Sequence, residues 1–330
     1  MPLVSIIIPV YNGSDFVAEA ITSALQQTHK DIEIIVVNDG SNDDDRTERS
    51  IRPFIPRVRY IDKDNGGVAS ALNSGIEVAQ GEFISWLSHD DAYEKNKLEI
   101  QIAFLKDQTS GSPERVAVYG DTWFMDETSV VHSRSNLPTV PPERFFESLY
   151  CGHVVHGLFD LEPFSMNGCT ALFPKAAFER TGYFDLKQRT TQDTDMWFRM
   201  NSNTDFILGP GPVLRSRIHK GQGTYVLRKE RVAEIDELYL KALDLYSPGT
   251  KFDLDLAKTA YALKRDYRMR SAYKKAWEMA WSRKKGLDIK YLLGALLYNR
   301  GFSSARLGMK SLKRRVKERE AAKAQTERKQ

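Results

Sequence analysis

The sequence predicts an α/β protein with a mostly parallel central sheet, and three observations indicate this class. Short apolar runs rich in β-branched residues recur between residues 4 and 87. Stretches with apolar residues at helical spacing separate these runs, and each run ends in glycine or polar residues. A parallel strand has such a continuous apolar run because helices cover both faces of the sheet.

Strands and helices alternate regularly in the first part of the chain. In order, the pattern predicts a strand over Val4–Val10, a helix over residues 16–25, strands over residues 32–37 and 58–61, a helix over residues 66–79 and a strand over residues 82–87. Farther along, it predicts strands over residues 116–119, 166–173 and 213–218 and helices over residues 175–181 and 193–201. From about residue 229, long helical patterns with few glycines predict an α-helical C-terminal extension.

The polar loops that follow the first four strands are predicted to form one binding site. The carboxyl ends of parallel strands meet at one edge of a sheet, and ligands of α/β proteins bind there. Neither a G-x-G-x-x-G fingerprint nor a P-loop follows the first strand. A bound nucleotide is therefore expected to need a metal ion for its phosphates.

Length and composition limit the classes of protein that need to be considered. The 330 residues correspond to about two domains at roughly 150 residues each, which we place at 1–228 and 229–330. Two cysteines exclude a disulfide framework and a multi-cysteine zinc site. The N-terminus lacks the basic start of a signal peptide, and no apolar run approaches the roughly 20 residues of a membrane span. The expected compartment is the cytoplasm.

The net charge of +4 is unevenly distributed along the chain. Residues 301–330 contain ten Lys and Arg and three Asp and Glu, a sum of +7, so the preceding 300 residues sum to −3. The charge of the body therefore gives no support for a nucleic-acid partner. The basic tail is compatible with peripheral contact with an anionic membrane. The alternatives are a solvated helix or a coil that joins two copies in a homo-oligomer.

Asp90 and Asp91 directly follow the fourth predicted strand. Two adjacent carboxylates repel each other unless a cation lies beside them. Their hard oxygen atoms suit Mg²⁺ or Mn²⁺, which usually complete their coordination shell with phosphate oxygens and water. The alternative is a solvated turn, in which a carboxylate caps the next helix.

Asp39 ends the second predicted strand, a usual position for a carboxylate that binds a ribose hydroxyl or a base edge. An Asx turn in the sequence Asn-Asp-Gly-Ser explains the same residues equally well.

Five segments taken in order resemble the inverting glycosyltransferases of family 2, which have the GT-A fold. The segments are VSIIIPVYNG, IIVVNDGSND, NGGVASALNSGIEVAQGEFISWLSHDD, NGCTALFPKAAFERTGYFDLKQRTTQDTDMWFRM and VLRSRIHKGQGT. Together they extend from about residue 3 to residue 225. Three positions depart from the family pattern: Ser88 replaces an acidic residue, Leu72 replaces a common Arg, and Gln192 replaces the commoner Glu.

The resemblance implies a role for each residue at a matching position. It assigns contacts with the nucleotide donor to Pro9, Tyr11, Asp39, Asn65, Gly67, Asn73 and Asp90. It assigns metal binding to Asp90 and Asp91, and a place near the donor phosphates to His219.

Asp193 matches the catalytic base of the family. Inverting transfer needs one carboxylate that takes the proton of the acceptor hydroxyl, and a bound metal ion stabilises the leaving diphosphate. An N-cap role explains Asp193 as well, and one residue can serve both roles. For His219, a neutral imidazole that binds the metal or a phosphate is to be weighed against a surface histidine.

These observations lead us to expect a metal-dependent inverting glycosyltransferase. It would use Mn²⁺ or Mg²⁺ and a nucleoside diphosphate sugar, with a glycan or lipid-linked acceptor, in the biosynthesis of a surface polysaccharide. A sugar nucleotidyltransferase is the rival enzyme, although Tyr11–Asp15 lacks the basic loop that it would need. A catalytically silent glycan-binding or membrane-scaffold protein is the rival without enzymatic activity.

Overall fold

The computed structural model describes residues 1–109, 113–142, 145, 166–227, 234, 235, 237, 238 and 241. All of them belong to the first of two units, Met1–Leu254. The second unit, Asp255–Gln330, lies outside the described residues, as does most of the predicted helical extension with its basic tail. The predicted domain boundary after residue 228 therefore stays a prediction. None of the helices in the described part is long and apolar enough to cross a membrane.

Strands and helices alternate as the sequence pattern predicts. The strands are β1 Val4–Val10, β2 Ile32–Asp39, β3 Arg59–Lys63, β4 Phe83–Trp86, β5 Ala92–Tyr93, β6 Val116–Met125, β7 Val131–Arg134, β8 Phe173–Pro174 and β9 Asp205–Arg217. The helices with defined bounds are α1 Val17–Leu25, α2 Arg46–Ile51, α3 Val68–Val78, α4 Lys97–Gln108, α5 Lys175–Thr181, α6 Gln192–Met200 and α7 Gly223–Val226.

The central sheet has five strands in the order β3-β2-β1-β4-β8. The first four strands in this order run parallel, and β8 runs antiparallel to β4. All residues of β1 and β4 are buried, as their continuous apolar sequences require. The mostly parallel central sheet predicted from the sequence is confirmed.

The order of strands creates a crevice beyond the carboxyl ends of β1 and β4. From β1 the chain builds outward through β2 and β3, and α3 then returns it to the other side of β1. Ligands bind at such a reversal in open α/β sheets. The two loops at this point touch, because a side chain at Gly13 would collide with the ring of His89.

A second sheet has four strands in the order β5-β9-β6-β7. The predicted strands over residues 116–119 and 213–218 lie in β6 and at the end of β9, but the sequence analysis did not predict that they join a second sheet. Strand β5 begins directly after Asp91 and pairs with the end of β9, where Ala92 faces Arg215. This pairing brings the segment after β9 next to the acidic turn after β4.

The predicted strand over residues 166–173 is wrong for most of its length. Gly168–Thr170 forms a 3₁₀ turn, and the side chain of Asn167 accepts a hydrogen bond from the backbone N of Cys169 at 2.9 Å. Asn followed by Gly favours such a turn more strongly than the apolar residues around it favour a strand. Only the end of this segment pairs: Leu172 forms an antiparallel bridge with Val118 of β6, and Phe173 belongs to β8.

Candidate active site

The turn after β4 carries Asp90 into the crevice. Asp90 Oδ2 lies 3.0 Å from His219 Nε2, and only 13% and 14% of these side chains are exposed. The pairing of β5 with β9 places these residues together although 129 positions separate them.

Asp91 turns away from this pair and into the protein. Its side chain is buried, and Oδ1 accepts a hydrogen bond from the backbone N of Arg217 at 2.8 Å. Burial and the neighbouring charge of Asp90 raise the pKa of Asp91 to about 8. In this arrangement Asp91 fixes the turn to β9, and its predicted role as a metal ligand stays a prediction.

The pair of Asp90 and His219 fits a divalent cation. A carboxylate oxygen and an imidazole nitrogen 3.0 Å apart have the separation of neighbouring ligands on an octahedral ion with bonds of about 2.1 Å. Within the described ranges no three His, Cys, Asp or Glu side chains gather closely enough to hold an ion. Of the described residues, Asp90 and His219 would bind the ion, and phosphate oxygens and water would contribute further ligands.

Arg217 holds the turn that contains Asp90 through hydrogen bonds from inside the protein, a role that the sequence analysis missed. The residue is 1% exposed, and its Nε donates to the backbone O of Asp90 at 2.9 Å. Its other nitrogens donate to the backbone O of Asp126 at 3.0 Å, to Ser129 Oγ at 3.0 Å and to Glu19 Oε2 at 2.6 Å. A lone Arg at the end of a predicted strand gives no signal of such burial.

His89 joins the loops after β1 and β4. It hydrogen-bonds to the backbone of Pro9, and its ring occupies the space in which a side chain at Gly13 would lie. Burial lowers the pKa of His89, and this favours the neutral imidazole. Pro9 itself lies in β1, buried between neighbouring strands.

Ser88 faces a sulfur atom instead of the predicted metal site. Its backbone N and its Oγ each lie 3.3 Å from Cys169 Sγ. Burial raises the pKa of the Cys169 thiol to about 12, so this cysteine stays a neutral hydrogen-bond partner.

Asp39, Asn65 and Gly67 form one hydrogen-bonded cluster. The buried carboxylate of Asp39 accepts from Lys63 Nζ at 2.7 Å and from the backbone N of Gly66 and Gly67 at 3.0 and 2.7 Å. Asn65 Nδ2 donates to the backbone O of Asp39 at 2.9 Å. Gly67 has φ 83°, a conformation that favours glycine, and it is the N-cap residue directly before α3. Asp39 therefore shapes the loop after β3, and its contact with a donor stays a prediction.

A polar cleft of about 470 Å³ opens beside this cluster at the ends of β2 and β3. Its lining residues are Asn38, Gly40, Ser41, Asp43, Asp45, Glu48, Asp62, Lys63 and Asp64. Tyr11 lies near the same edge, 43% exposed, with its hydroxyl 3.3 Å from Asn42 Oδ1. The cleft is rich in hydrogen-bond acceptors, which suits a base or ribose that offers donors.

Asn73 binds the loop that leads to the predicted base. Its Nδ2 donates to the backbone O of Phe184 at 3.0 Å, and its Oδ1 accepts from the backbone N of Phe184 at 2.9 Å. The structure thus uses both ends of the amide within the protein. The predicted contact of Asn73 with a donor is not tested by this geometry.

Asp193 lies in the first turn of α6 and is partly exposed. Its Oδ1 accepts from the backbone N of Thr194 at 2.7 Å. Trp197, one turn later on the same face, stacks on Trp86 of β4 at 5.5 Å between ring centroids. This stacking fixes α6 beside the strand that leads to Asp90. Asp195, in contrast, is buried and pairs with Arg199 at 2.8 Å, as a structural carboxylate does.

The sequence profile of glycosyl transferase family 2 matches residues 5–178, which is more than half of the chain. The chain belongs to this family. The residues that carry the predicted resemblance lie in the matched region and directly after it.

Relatives from Rickettsia support the assignment. An uncharacterized glycosyltransferase of Rickettsia prowazekii is 42% identical over 223 residues, which are 68% of this chain and 66% of that protein. A similar protein of Rickettsia conorii is 40% identical over 67% of this chain, and the match spans only 35% of its length. The chain therefore corresponds to about a third of some of its relatives. A chondroitin synthase of Pasteurella multocida is 42% identical over 113 residues, 33% of this chain and 12% of that enzyme.

Two solved structures show that the fold is GT-A. Residues 1–349 of Staphylococcus aureus TarS in complex with UDP-GlcNAc match with a TM-score of 0.56 and 16% identity, over 92% of this chain and 81% of that one. The mannosyltransferase PcManGT of Pyrobaculum calidifontis in complex with GDP-Man and Mn²⁺ matches with a TM-score of 0.56 and 20% identity, over 93% and 82%.

Proposed function

We propose that this protein is a metal-dependent inverting glycosyltransferase that moves a sugar from a nucleoside diphosphate donor to a hydroxyl group of a glycan or lipid-linked acceptor. The observation that carries the proposal is the pair of Asp90 and His219, 3.0 Å apart at the crevice between β1 and β4. Ligands of open α/β sheets bind at this position.

Asp90 and His219 would hold a divalent cation, Mn²⁺ or Mg²⁺. Such an ion, when bound, neutralises the charge that develops on a departing diphosphate. The complex of PcManGT with Mn²⁺ supports this part of the proposal. Arg217 and Asp91 contribute by holding the turn. Arg217 Nε donates to the backbone O of Asp90, and Asp91 Oδ1 accepts from the backbone N of Arg217 at the end of β9.

Asp193 would act as the general base. The acceptor hydroxyl oxygen forms a bond to the anomeric carbon of the donor, and its proton passes to the Asp193 carboxylate. The bond from the anomeric carbon to the phosphate oxygen breaks, and the nucleoside diphosphate leaves with that electron pair. Because attack and departure occur on opposite faces, the configuration at the anomeric carbon inverts.

The nucleoside of the donor would occupy the cleft beside Asp39. The acceptor-rich lining there offers partners to the N–H groups of a base and the hydroxyls of a ribose. The complexes of TarS with UDP-GlcNAc and of PcManGT with GDP-Man support a nucleotide sugar as the donor class.

A sugar polymer or its lipid-linked precursor is the acceptor that we propose, in surface polysaccharide biosynthesis. The similarity to part of a chondroitin synthase supports a glycan acceptor. A cytoplasmic location, membrane contact through the basic tail and a homo-oligomeric state are further parts of the proposal that come from the sequence.

The substitution Asp193→Asn tests the proposed base, because it keeps the shape of the side chain and removes its basicity. Turnover of the bound nucleotide sugar should fall by about 10²- to 10⁴-fold, while its Kd changes less than twofold. Glu179→Gln on the exposed face of α5 is the matched control, and NMR of the product reports the anomeric configuration. Wild-type turnover in Asp193→Asn, or a product of retained configuration, would contradict the proposal.

A further inference from the structure

The loop between α5 and α6 leads directly into Asp193, and a residue far along the chain holds it. Glu234 lies beyond the segment that matches the family profile, yet its carboxylate reaches this loop. Its Oε1 accepts from the backbone N of Arg189 at 2.9 Å, and its Oε2 accepts from the backbone N of Thr190 at 2.8 Å. The hydroxyls of Thr190 and Thr191 also bond to Oε2, at 2.6 and 3.3 Å.

A second side chain from the same segment reaches the same loop. Lys241 Nζ lies 3.4 Å from Asp185 Oδ2 and 3.3 Å from Glu237 Oε1. These two contacts involve partly exposed side chains and contribute little to stability. The contact with Asp185 places the side chain of Lys241 at the same loop, so the contact of Glu234 is not isolated.

The start of α6 depends on this loop for its orientation. Thr191 is the N-cap residue, but its side chain does not cap the helix. Its hydroxyl lies 2.8 Å from Gln188 Oε1 and faces Glu234, while its backbone O accepts from the backbone N of Asp195 at 3.0 Å. The position of Thr191 therefore sets the direction of the first turn, and Asp193 lies in that turn.

We propose that Glu234 is a positioning residue for Asp193, which aligns the base by bonding the three residues before α6. The inference rests on the proposed function, since it needs Asp193 to be the base. One carboxylate that accepts from two successive backbone N–H groups fixes the path of the chain more strictly than a single hydrogen bond would. A displacement of about 1 Å at a reacting group is enough to lower a rate by about 10²-fold.

The matched control lies three positions away from Glu234. Glu237 belongs to the same segment and has the same side chain, which is 61% exposed and contacts Lys241 instead of the loop. Glu234→Gln keeps the shape of the side chain and one acceptor oxygen. Its amide NH₂ group would face one of the backbone N–H donors of the loop, so that hydrogen bond would be lost. Glu234→Ala removes all of the bonds to the loop.

The experiment compares these variants in three measurements on the full chain. Hydrogen–deuterium exchange reports the protection of the Arg189 and Thr190 amides. Release of free sugar from UDP-, GDP-, dTDP- and CDP-sugars with Mn²⁺ reports turnover with water as the acceptor, and calorimetry gives the Kd of the same donors. A role confined to stability would change unfolding without a selective loss of turnover.

We expect Glu234→Ala to lose amide protection at Arg189 and Thr190 and to lower turnover by about 10- to 100-fold with a donor Kd within twofold. Glu234→Gln should recover part of the turnover, and Glu237→Ala should match the wild type. If Glu234→Ala leaves the protection of these amides unchanged, or loses the protection but keeps wild-type turnover, the inference is overturned and the proposed function is not affected. A wild-type protein that neither binds nor hydrolyses any of the donors would contradict the proposed function and, with it, the inference.

Discussion

Replacement of Arg217 by Lys tests how the acidic turn is held. The guanidinium donates to five oxygen atoms, the backbone oxygens of Asp90, Asp126 and Glu127 and the side-chain oxygens of Ser129 and Glu19. A lysine ammonium has three donors at a single point and cannot span the distance that the planar guanidinium covers. At least two of these five acceptors should therefore lose their partner in Arg217→Lys.

The expected loss of stability follows from the burial of these groups. A fully buried acceptor without a partner costs about 1–3 kcal/mol. The acceptors around Arg217 are partly buried, so the loss of two partners should cost about 2–4 kcal/mol. The ion pair with Glu19 adds little beyond this, since the Glu19 side chain is 36% exposed. Contact of the guanidinium with the Phe16 ring, 4.5 Å from its centroid, adds about 0.5–1 kcal/mol. We predict a loss of about 2–5 kcal/mol in the free energy of unfolding.

Urea unfolding measures this loss, and Arg215→Lys is the control. Arg215 lies two residues earlier on β9, and its partly exposed side chain pairs with Glu94 at 3.4 Å. Its replacement should cost less than about 1 kcal/mol. Because Asp90 is released in Arg217→Lys, binding of a nucleotide sugar with Mn²⁺ should also weaken. If the free energy of unfolding of Arg217→Lys lies within about 1 kcal/mol of the wild-type value, the interpretation that Arg217 holds this turn is wrong.

Two further predictions concern the packing of the crevice and a buried amine. Gly13→Ala should lower the free energy of unfolding by about 1–3 kcal/mol, because the added methyl would meet the ring of His89 and lie 2.7 Å from Val10 Cγ2. Gly223→Ala is the control, because its methyl meets nothing within 4 Å. Equal losses of the two variants in urea unfolding would refute the reasoning. Burial lowers the pKa of Lys97 to about 7 in the folded chain, whereas the pKa of an unperturbed lysine is about 10.4. Between these two pH values the unfolded chain binds more protons than the folded chain, so the stability of the protein rises with pH. The free energy of unfolding of the wild type should therefore increase relative to Lys97→Met from about pH 7 to pH 10, and a difference that stays constant or falls would contradict the assigned burial.

Local patterns predict the central sheet well because β1 and β4 are completely buried and β2 is buried over most of its length. Val4–Val10 is found within its predicted bounds, and the predicted helix over residues 175–181 is also found as Lys175–Thr181. The second sheet was missed as a unit. Its strand β9 pairs with β5 and β6 across long stretches of sequence, and the pattern of one strand does not reveal its partner.

Asp90 and Asp91 were singled out by their place after a predicted strand, and Asp193 and His219 through the family resemblance, but the sequence did not reveal the environments of these residues. Asp91 and Asp90 are indistinguishable in the sequence, yet one is buried against β9 and the other faces His219. Lys97 and Arg217 were missed because charged side chains are normally exposed. Their burial depends on acceptors such as Ser85 Oγ, which lies 3.0 Å from Lys97 Nζ, and these meet only in the folded chain.

Calorimetric titration with UDP-, GDP-, dTDP- and CDP-sugars, each with Mn²⁺, Mg²⁺ or EDTA, tests the central claim most directly. The proposed donor site predicts that one nucleotide class binds, that EDTA abolishes the binding, and that Asp90→Asn weakens it in the presence of Mn²⁺. Binding that is unaffected by EDTA would contradict the metal site formed by Asp90 and His219. A folded protein that binds none of these donors would contradict glycosyl transfer from a nucleotide sugar and would favour a catalytically silent scaffold.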